Sequence, residues 1–393
     1  MAKKNIYLDY AATTPLDLKV ERVILAQLKN FGNPSSIYSL GRQAKQVIED
    51  ARKSVAKILN SSSEELVFTG SGTESDNLAI FGIARAYKNI GGHIITTKIE
   101  HHAVLRACQY LEKNEGFKVT YLDVGKNGVV DPEAVKKAIR PDTILISIIY
   151  ANNEIGAIQS IAKIGRLIRS HKQATLFSIS VPPYFHTDAC QAAGALNLNV
   201  QELAVDLMTL NGSKIYGPKG IGCLFIRRGI RLQPIIIGGS QERGLRAGTE
   251  NPALIVGFAK ALELADKNKE KESKRLIKLR DYLINQILTQ IPDSKLNGDP
   301  IQRLPNNISI SFKDIDGEML MLALDQEGIQ VSTGSACTVS ETSPSHVMQA
   351  IGNPEGWGNL RITLGHQTTK KDLDYVFGVL TYIVAKLTIA LSY

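Results

Sequence analysis

The chain has 393 residues, of which 44% are hydrophobic and 21% are charged, a balance typical of a globular protein with a large core. This composition excludes an intrinsically disordered chain. The formal net charge of +8 allows an acidic partner. A positive surface is more often a general property of a protein, so we do not expect a nucleic-acid partner.

The cysteines and the two termini indicate the compartment. The cysteines are Cys108, Cys190, Cys223 and Cys337. They form no Cys-x-x-Cys pair, so we expect neither a metal site nor a disulfide framework. The amino terminus has no long apolar run, so a signal peptide is not indicated and a reducing cytoplasm is expected. The apolar stretch from Tyr375 to Tyr393 contains Lys386 and has helical spacing, which predicts a packed terminal helix and no membrane span.

Short β-branched runs alternate with helical patterns from about Glu65 to Arg228. The predicted strands include 65–69, 93–97, 118–122, 143–149 and 205–210, and the predicted helices are 73–87, 103–113, 132–139 and 161–171. Such alternation predicts an α/β fold with a mostly parallel sheet covered by helices on both faces. Ligands bind such sheets beyond the carboxyl ends of the strands.

A second section begins at Asn251-Pro252. It contains predicted helices at 253–290 and 316–326, strands at 307–312 and near 360–364, a loop at 332–345 and the terminal helix. This pattern predicts a smaller α+β domain. We expect a large domain over 16–250 and a small domain formed by 1–15 and 251–393, which carries the loop with Cys337.

A glycine-rich loop, Thr69-Gly70-Ser71-Gly72-Thr73-Glu74-Ser75, lies between a predicted strand and a predicted helix. Backbone N–H groups at such a helix start bind anions such as phosphate. The same residues also suit a plain helix cap formed by Ser71 or Thr73. The sequence pattern leaves both interpretations open, and it lacks the Gly-Lys-Ser/Thr ending of a P-loop.

Two strand ends carry further candidate groups. Lys214, after the apolar run 205–210, would form a Schiff base if burial lowered its pKa, although a solvated lysine is the more common case and Lys219 competes with it. Asp188 follows another apolar run and suits either a ring nitrogen or a helix cap. His101 and His102 open a helix, where an imidazole stacks on a ring or moves protons.

Cys337 lies among small polar residues in Thr333-Gly334-Ser335-Ala336-Cys337-Thr338. A free thiol in a predicted exposed loop is unusual because free cysteines are generally buried. Cys108 and Cys223 lie in apolar contexts and are predicted to be core residues, whereas Cys190 is predicted to pack beside Asp188.

At these residues the sequence resembles the NifS/IscS group of cysteine desulfurases, which belong to the class V, fold-type I enzymes that use pyridoxal phosphate (PLP). The resemblance covers essentially the whole chain. The motifs that carry it are Tyr7-Leu8-Asp9-Tyr10-Ala11-Ala12-Thr13-Thr14-Pro15, Phe31-Gly32-Asn33-Pro34-Ser35-Ser36, Thr73-Glu74-Ser75-Asp76-Asn77, Glu100-His101, Asn152-Asn153-Glu154-Ile155-Gly156, Asp188-Ala189-Cys190-Gln191, Lys214-Ile215-Tyr216-Gly217-Pro218-Lys219-Gly220, Arg246-Ala247-Gly248-Thr249 and Gly334-Ser335-Ala336-Cys337-Thr338.

The resemblance implies a seven-stranded sheet and a role for each matched residue. Lys214 would carry PLP, His101 would stack on its ring, and Cys337 would receive the sulfur. Further ring contacts would come from Asp188 at the pyridine nitrogen, Gln191 at the phenolic oxygen, and Asn153, which would also lie near the substrate. Phosphate ligands would be Gly72, Thr73, Asn211, Ser213 and, from the other subunit of a homodimer, Thr249. The carboxylate of L-cysteine would be held by Asn33 and Arg361, for which a guanidinium is suited.

The implied reaction releases L-alanine and leaves a persulfide on Cys337 for a sulfur acceptor such as an iron–sulfur scaffold protein. Two motifs depart from the family pattern: Asn211-Gly212-Ser213 replaces Ser-x-His, and Gly365-His366-Gln367 replaces Gly-Arg-Phe. Alternatives are a selenocysteine lyase or cysteine sulfinate desulfinase on the same fold, or a catalytically silent binding protein.

Overall fold

Two β-sheets with separate hydrophobic cores organise the chain in the computed structural model, which describes residues 5–176, 181–334 and 345–390. The strands are β1 (Ile6–Tyr7), β2 (Leu66–Thr69), β3 (His93–Thr97), β4 (Lys118–Leu122), β5 (Thr143–Ser147), β6 (Tyr184–Asp188), β7 (Leu207–Asn211), β8 (Gly222–Ile226), β9 (Ser294–Leu296), β10 (Asn307–Lys313), β11 (Ile329–Gln330) and β12 (Trp357–Thr363). The helices are α1 (Leu18–Gln27), α2 (Ser39–Leu59), α3 (Gly72–Tyr87), α4 (His102–Glu115), α5 (Pro132–Ala138), α6 (Ile161–Leu176), α7 (Val200–Leu203), α8 (Pro252–Gln290), α9 (Gly317–Gln326), α10 (His346–Ala350) and α11 (Lys370–Ala390).

The larger sheet has seven strands in the order β2-β8-β7-β6-β5-β3-β4. Strands β4, β3, β5, β6 and β7 are parallel, whereas β8 runs antiparallel to both β7 and β2. Neighbouring residues such as Tyr184 and Phe185 on β6 pack into different cores on the two faces. Both faces of a mostly parallel sheet need such cover, so its strands read as continuous apolar runs. The predicted α/β fold with a seven-stranded, mostly parallel sheet is confirmed.

The smaller sheet has the order β12-β10-β9, and β1 pairs separately with β11. Its core includes residues of α9 and α11 and the second half of α8, such as Leu283. The first half of α8, including Phe258, packs in the core of the larger sheet. Because α8 joins the two cores, a boundary at residue 250 and the assignment of 1–15 and 251–393 to a small domain stay a proposal.

Most predicted elements agree with the structure within two residues, including the strands predicted over 143–149 and 205–210, which lie at Thr143–Ser147 and Leu207–Asn211. A larger difference is α6, which extends five residues beyond the predicted end at 171, to Leu176. Residues 335–344 of the predicted cysteine loop and 177–180 of the extended segment lie outside the described residues.

The terminal helix α11 buries Val376, Leu380, Ile383 and Val384, as the helical spacing predicts. Within residues 5–176, 181–334 and 345–390, no helix combines the length and the apolar character needed to cross a bilayer.

Candidate active site

The predicted site residues collect where β5, β6 and β7 end and α3 begins. Because the carboxyl ends of parallel strands lie at one edge of the sheet, the loops after them open into a common cleft. We call this side of the cleft the large-sheet wall, formed by the ends of β3, β5, β6 and β7 and the start of α3. The small-sheet wall faces it and consists of Arg361 on β12 with Asp9 and Asn153.

Lys214 is half-buried at the end of a 3₁₀ turn, Gly212–Lys214, directly after β7. Its Nζ donates hydrogen bonds to the carbonyl oxygens of Ala11 and Ala12 at 2.9 and 2.6 Å. Burial lowers the pKa of this amine. Lys219, the competing residue, is exposed. Desolvation makes the neutral, nucleophilic amine more accessible, so the structure favours Lys214 as the reactive lysine.

Gln191 lies beside this lysine, because its Nε2 donates to the same Ala11 carbonyl oxygen at 2.9 Å. The two predicted ring-side residues therefore share one backbone acceptor. Cys190 is buried next to them, and its backbone N–H donates to Asp188 Oδ1 at 2.9 Å. Burial raises the pKa of the Cys190 thiol, so it stays protonated.

The predicted phosphate corner brings Gly72 against the strand end of β7. A Cβ on Gly72 would lie 2.8 Å from Cys190 Sγ and 3.3 Å from Asn211 Cβ, so a larger residue would not fit. Asn211 Oδ1 accepts from both the backbone N–H and the hydroxyl of Ser213, each at 3.2 Å. The first N–H groups of an α-helix have no intrahelical acceptor, so Gly72 and Thr73 can donate to an anion.

Ser71 is the N-cap of α3, and its Oγ accepts from Glu74 N at 3.1 Å. The two sequence interpretations of the glycine-rich loop are therefore compatible: Ser71 caps one N–H while the N–H groups of Gly72 and Thr73 remain available.

A buried cluster lies behind this corner. A ring nitrogen of His101 and one carboxylate oxygen each of Asp76 and Asp188 all lie within 4.8 Å of one another. His101 caps α4 through Nδ1, which accepts from Ala103 N at 3.1 Å. Its neighbour His102 packs instead against His346, with ring centroids 4.7 Å apart. The structure thus brings His101, and not His102, to the Asp188 side of the cleft.

Arg361 is only 1% exposed on β12 and is close enough to Lys214 to act on its charge. Its Nη2 pairs with Asp9 Oδ1 at 2.7 Å, and its Nη1 donates to the carbonyl oxygen of Asn153 at 3.1 Å. Among the described residues, its buried Nε has no hydrogen-bond partner. A buried guanidinium with a donor to spare is suited to bind a carboxylate.

The described residues on either side of the Cys337 segment are held by β12 and by Glu154. Before it, the Ser332 and Arg361 backbones pair as a β-bridge, and Asn359 Nδ2 donates to Thr333 O at 2.9 Å. After it, Ser345 Oγ donates to Glu154 Oε2 at 2.5 Å. Glu154 also faces Gly334, where an added Cβ would lie 3.1 Å from Oε2. Cys337 itself lies outside the described residues.

The structure does not bring every predicted residue to this cleft. Asn33 is exposed, and its Oδ1 accepts from Ser35 N at 2.9 Å. Thr249 is exposed in the chain before α8. No hydrogen bond among the described residues joins either side chain to Lys214 or Arg361, so their roles stay predictions.

Four acidic residues of the site had no predicted role: Asp9, Asp76, Glu100 and Glu154. Asp76 and Glu100 are each 1% exposed, and burial raises the pKa of both carboxyls, that of Glu100 to about 8. One available signal was the spacing of α3, where Asp76 follows Gly72 by four residues and so shares a helix face with it.

Comparisons with known proteins agree with the fold. The family model for class-V aminotransferases matches residues 6–376. The cysteine desulfurase IscS of Dictyoglomus turgidum is 50% identical over 388 residues, which are 98% of this chain and 96% of that protein. A solved structure described as a NifS-like protein has a TM-score of 0.89 at 35% identity, covering 98% of this chain and 100% of the other.

Another solved structure is described as SspA in complex with cysteine, with a TM-score of 0.78 at 34% identity over 91% of this chain and 98% of that one. The family match and the long, similar relatives agree with the fold. The chain belongs to the class-V aminotransferase family.

Proposed function

We propose that this protein is a PLP-dependent cysteine desulfurase that converts L-cysteine to L-alanine and holds the released sulfur as a persulfide on Cys337. One observation carries the proposal: the same cleft contains a half-buried lysine at a strand end, Lys214, and a buried arginine, Arg361, whose Nε has no hydrogen-bond partner among the described residues. The names of the similar proteins, cysteine desulfurases among them, support the substrate.

The residues present fit PLP as the cofactor. Lys214 would bind its aldehyde carbon, Asp188 its ring nitrogen, Gln191 its phenolic oxygen, and His101 and Asn153 its ring. Gly72, Thr73, Asn211 and Ser213 would hold its phosphate, and the space that a Cβ on Gly72 would fill supports this. When bound, the cofactor supplies an electron sink for negative charge at the substrate α-carbon.

The protein residues would bind the substrate, move a proton and accept the sulfur. Arg361 would hold the carboxylate through Nε and a terminal nitrogen, with Asn33 as the second contact. Lys214 would take the α-proton at Nζ, which burial favours because it lowers the pKa of the amine. Cys337, as a thiolate, would attack the substrate sulfur: an S–S bond forms as the carbon–sulfur bond breaks, and the electron pair of the broken bond stays with the carbon skeleton, which is protonated and leaves as alanine.

The proposal includes a homodimer in which Thr249 completes the phosphate site of the partner. Phe31, Ile37 and Ile237 are 85–88% exposed, which is unusual for large apolar side chains and supports a covered surface. The free thiols Cys108, Cys190 and Cys223 support a reducing, cytoplasmic compartment.

The test is incubation of the PLP-loaded protein with L-cysteine, followed by alanine quantification and intact-protein mass spectrometry. We expect alanine in step with a mass gain of one sulfur atom, located on Cys337 by peptide mapping. The variant Cys337→Ala should lose the persulfide, whereas Cys223→Ala, which alters a core cysteine, should keep it. Unchanged sulfur transfer by Cys337→Ala would contradict the role of Cys337 and favour a lyase that needs no loop cysteine.

A further inference from the structure

A second buried acid lies behind Asp188, and neither the family motifs nor the proposed function gives it a role. Asp76 is 1% exposed on α3, one turn after Gly72. Asp188 is 5% exposed at the end of β6, and the two carboxyl groups lie in the cluster whose ligand atoms are within 4.8 Å. Two carboxylates at this separation and burial do not both ionise readily.

The neighbours of Asp76 do not supply a positive charge. His186 Nε2 lies 3.6 Å from Asp76 Oδ1, but burial lowers the pKa of His186 to about 4, so its imidazole is neutral at pH 7. The hydroxyls of Ser147 and Thr209 lie 2.8 and 3.1 Å from its two ring nitrogens. Burial and Asp188 raise the pKa of Asp76, and they outweigh a side-chain interaction with Thr209 that lowers it.

The hydrogen bonding of the Asp76 carboxyl group is incomplete among the described residues. Asp76 Oδ1 is fully buried and has no hydrogen-bond partner among the described residues. A buried carboxylate oxygen without a donor is costly, and a neutral carboxyl group at the same position costs less because it carries no charge. Burial and the charge of Asp188 raise the pKa of Asp76, in agreement with this geometry.

We propose that Asp76 is a positioning residue that is held as a neutral carboxylic acid behind Asp188, so that the pair carries one negative charge, concentrated on Asp188. Its purpose in orienting Asp188 toward a ring nitrogen rests on the proposed function. Its protonation state does not, because that follows from burial and from Asp188, Glu100, His101 and His186, the titratable groups around it.

The test begins with infrared difference spectroscopy of the full-length protein at pH 7, wild type against Asp76→Asn. The C=O stretch of a neutral carboxylic acid differs from the bands of a carboxylate or an amide, and it shifts in heavy water. We expect the difference spectrum to contain one acid band. The matched control is Asp142→Asn, because Arg140 lowers the pKa of Asp142 and its replacement should remove no acid band.

Absence of the acid band would overturn the proposal whether or not the protein binds PLP. Binding of Mg²⁺ or Zn²⁺ by the wild type that Asp76→Asn abolishes would also overturn it, because the ligand would then be an ionised Asp76.

The second measurement is PLP affinity, together with the pH dependence of the visible absorption of the loaded protein. Asp76→Asn keeps a neutral group of the same shape, so both should match the wild type. Asp76→Ala should bind PLP about 3- to 10-fold more weakly because one buried hydrogen-bonding group is lost. A shift of the absorption midpoint by about one pH unit in Asp76→Asn would mean that a charge had been removed and would overturn the proposal.

Discussion

The large-sheet wall and the small-sheet wall of the cleft treat buried charge differently. On the large-sheet wall, Glu100 accepts hydrogen bonds from the neutral Thr97 hydroxyl and the Ile149 N–H at 2.6 and 2.9 Å, and burial raises its pKa to about 8. On the small-sheet wall, Arg361 is paired with Asp9 at 2.7 Å. One wall suppresses charge by protonation and the other neutralises it by pairing, so removing a charge should have opposite consequences on the two walls.

The largest expected effect is the pH dependence of stability due to Glu100. Between pH 4.5 and about 8 the native state keeps a proton that the unfolded state has lost, so stability falls as pH rises. In Glu100→Gln this contribution disappears, and the variant should gain on the wild type by up to about 1.4 kcal/mol per pH unit in that window.

Urea unfolding of wild type and Glu100→Gln at pH 5, 6, 7 and 8 measures this difference. A constant offset between the two proteins across all four pH values would mean that Glu100 titrates normally, and the contrast between the walls would fail.

The opposite result is expected for Asp9 on the small-sheet wall. Asp9→Asn leaves the buried Arg361 guanidinium without its carboxylate, which should cost about 3 kcal/mol of the free energy of unfolding. The measurement is the urea midpoint at pH 7, with the exposed Asp50→Asn as control. A loss no larger than that of the control would show that the pair is not needed to hold Arg361.

Substrate binding should depend on the shape of Arg361 as well as on its charge. Arg361→Lys keeps the charge but loses the planar fork, so we expect kcat/KM for L-cysteine to fall about 10- to 100-fold. Steady-state alanine production measures it, with Arg140→Lys as a surface control. Unchanged kcat/KM in Arg361→Lys would place the substrate carboxylate elsewhere.

The smallest expected effect concerns the attachment of the chain that follows the Cys337 segment. The 2.5 Å hydrogen bond between Ser345 Oγ and Glu154 Oε2 should give a coupling energy of about 1 kcal/mol in a double-mutant cycle of Ser345→Ala and Glu154→Gln. Unfolding free energies of the four proteins provide it. Fully additive losses would show that Ser345 and Glu154 do not stabilise each other.

The sequence predicts the large sheet well because its strands are local apolar runs bounded by turns. The positions of Asp188 and Lys214 at strand ends follow from that pattern. The choice of Lys214 over Lys219 required the family resemblance, and burial now supports it independently. Pattern alone also left His101 and His102 equivalent. The family resemblance chose His101, and in the structure His101 lies near Asp188 whereas His102 packs against His346.

The electrostatics of the site could not be predicted because they depend on distant contacts. Asp9 and Arg361 are 352 positions apart, and Glu154 and Ser345 are 191 apart. Asp76 resembles an ordinary acid near a helix start until β6 and β7 place Asp188, His186 and Thr209 around it. The burial of Asp76, and the lack of a hydrogen bond to its Oδ1 among the described residues, depend on the fold and not on local sequence.

Borohydride reduction of the PLP-loaded protein tests most directly whether Lys214 holds the cofactor. Reduction fixes the cofactor to the amine that holds it, and peptide mapping then locates the modified lysine. We expect modification at Lys214 in the wild type and in Lys219→Ala, and none in Lys214→Ala. Modification at Lys219, or an unmodified Lys214 in a protein that has bound PLP, would contradict it.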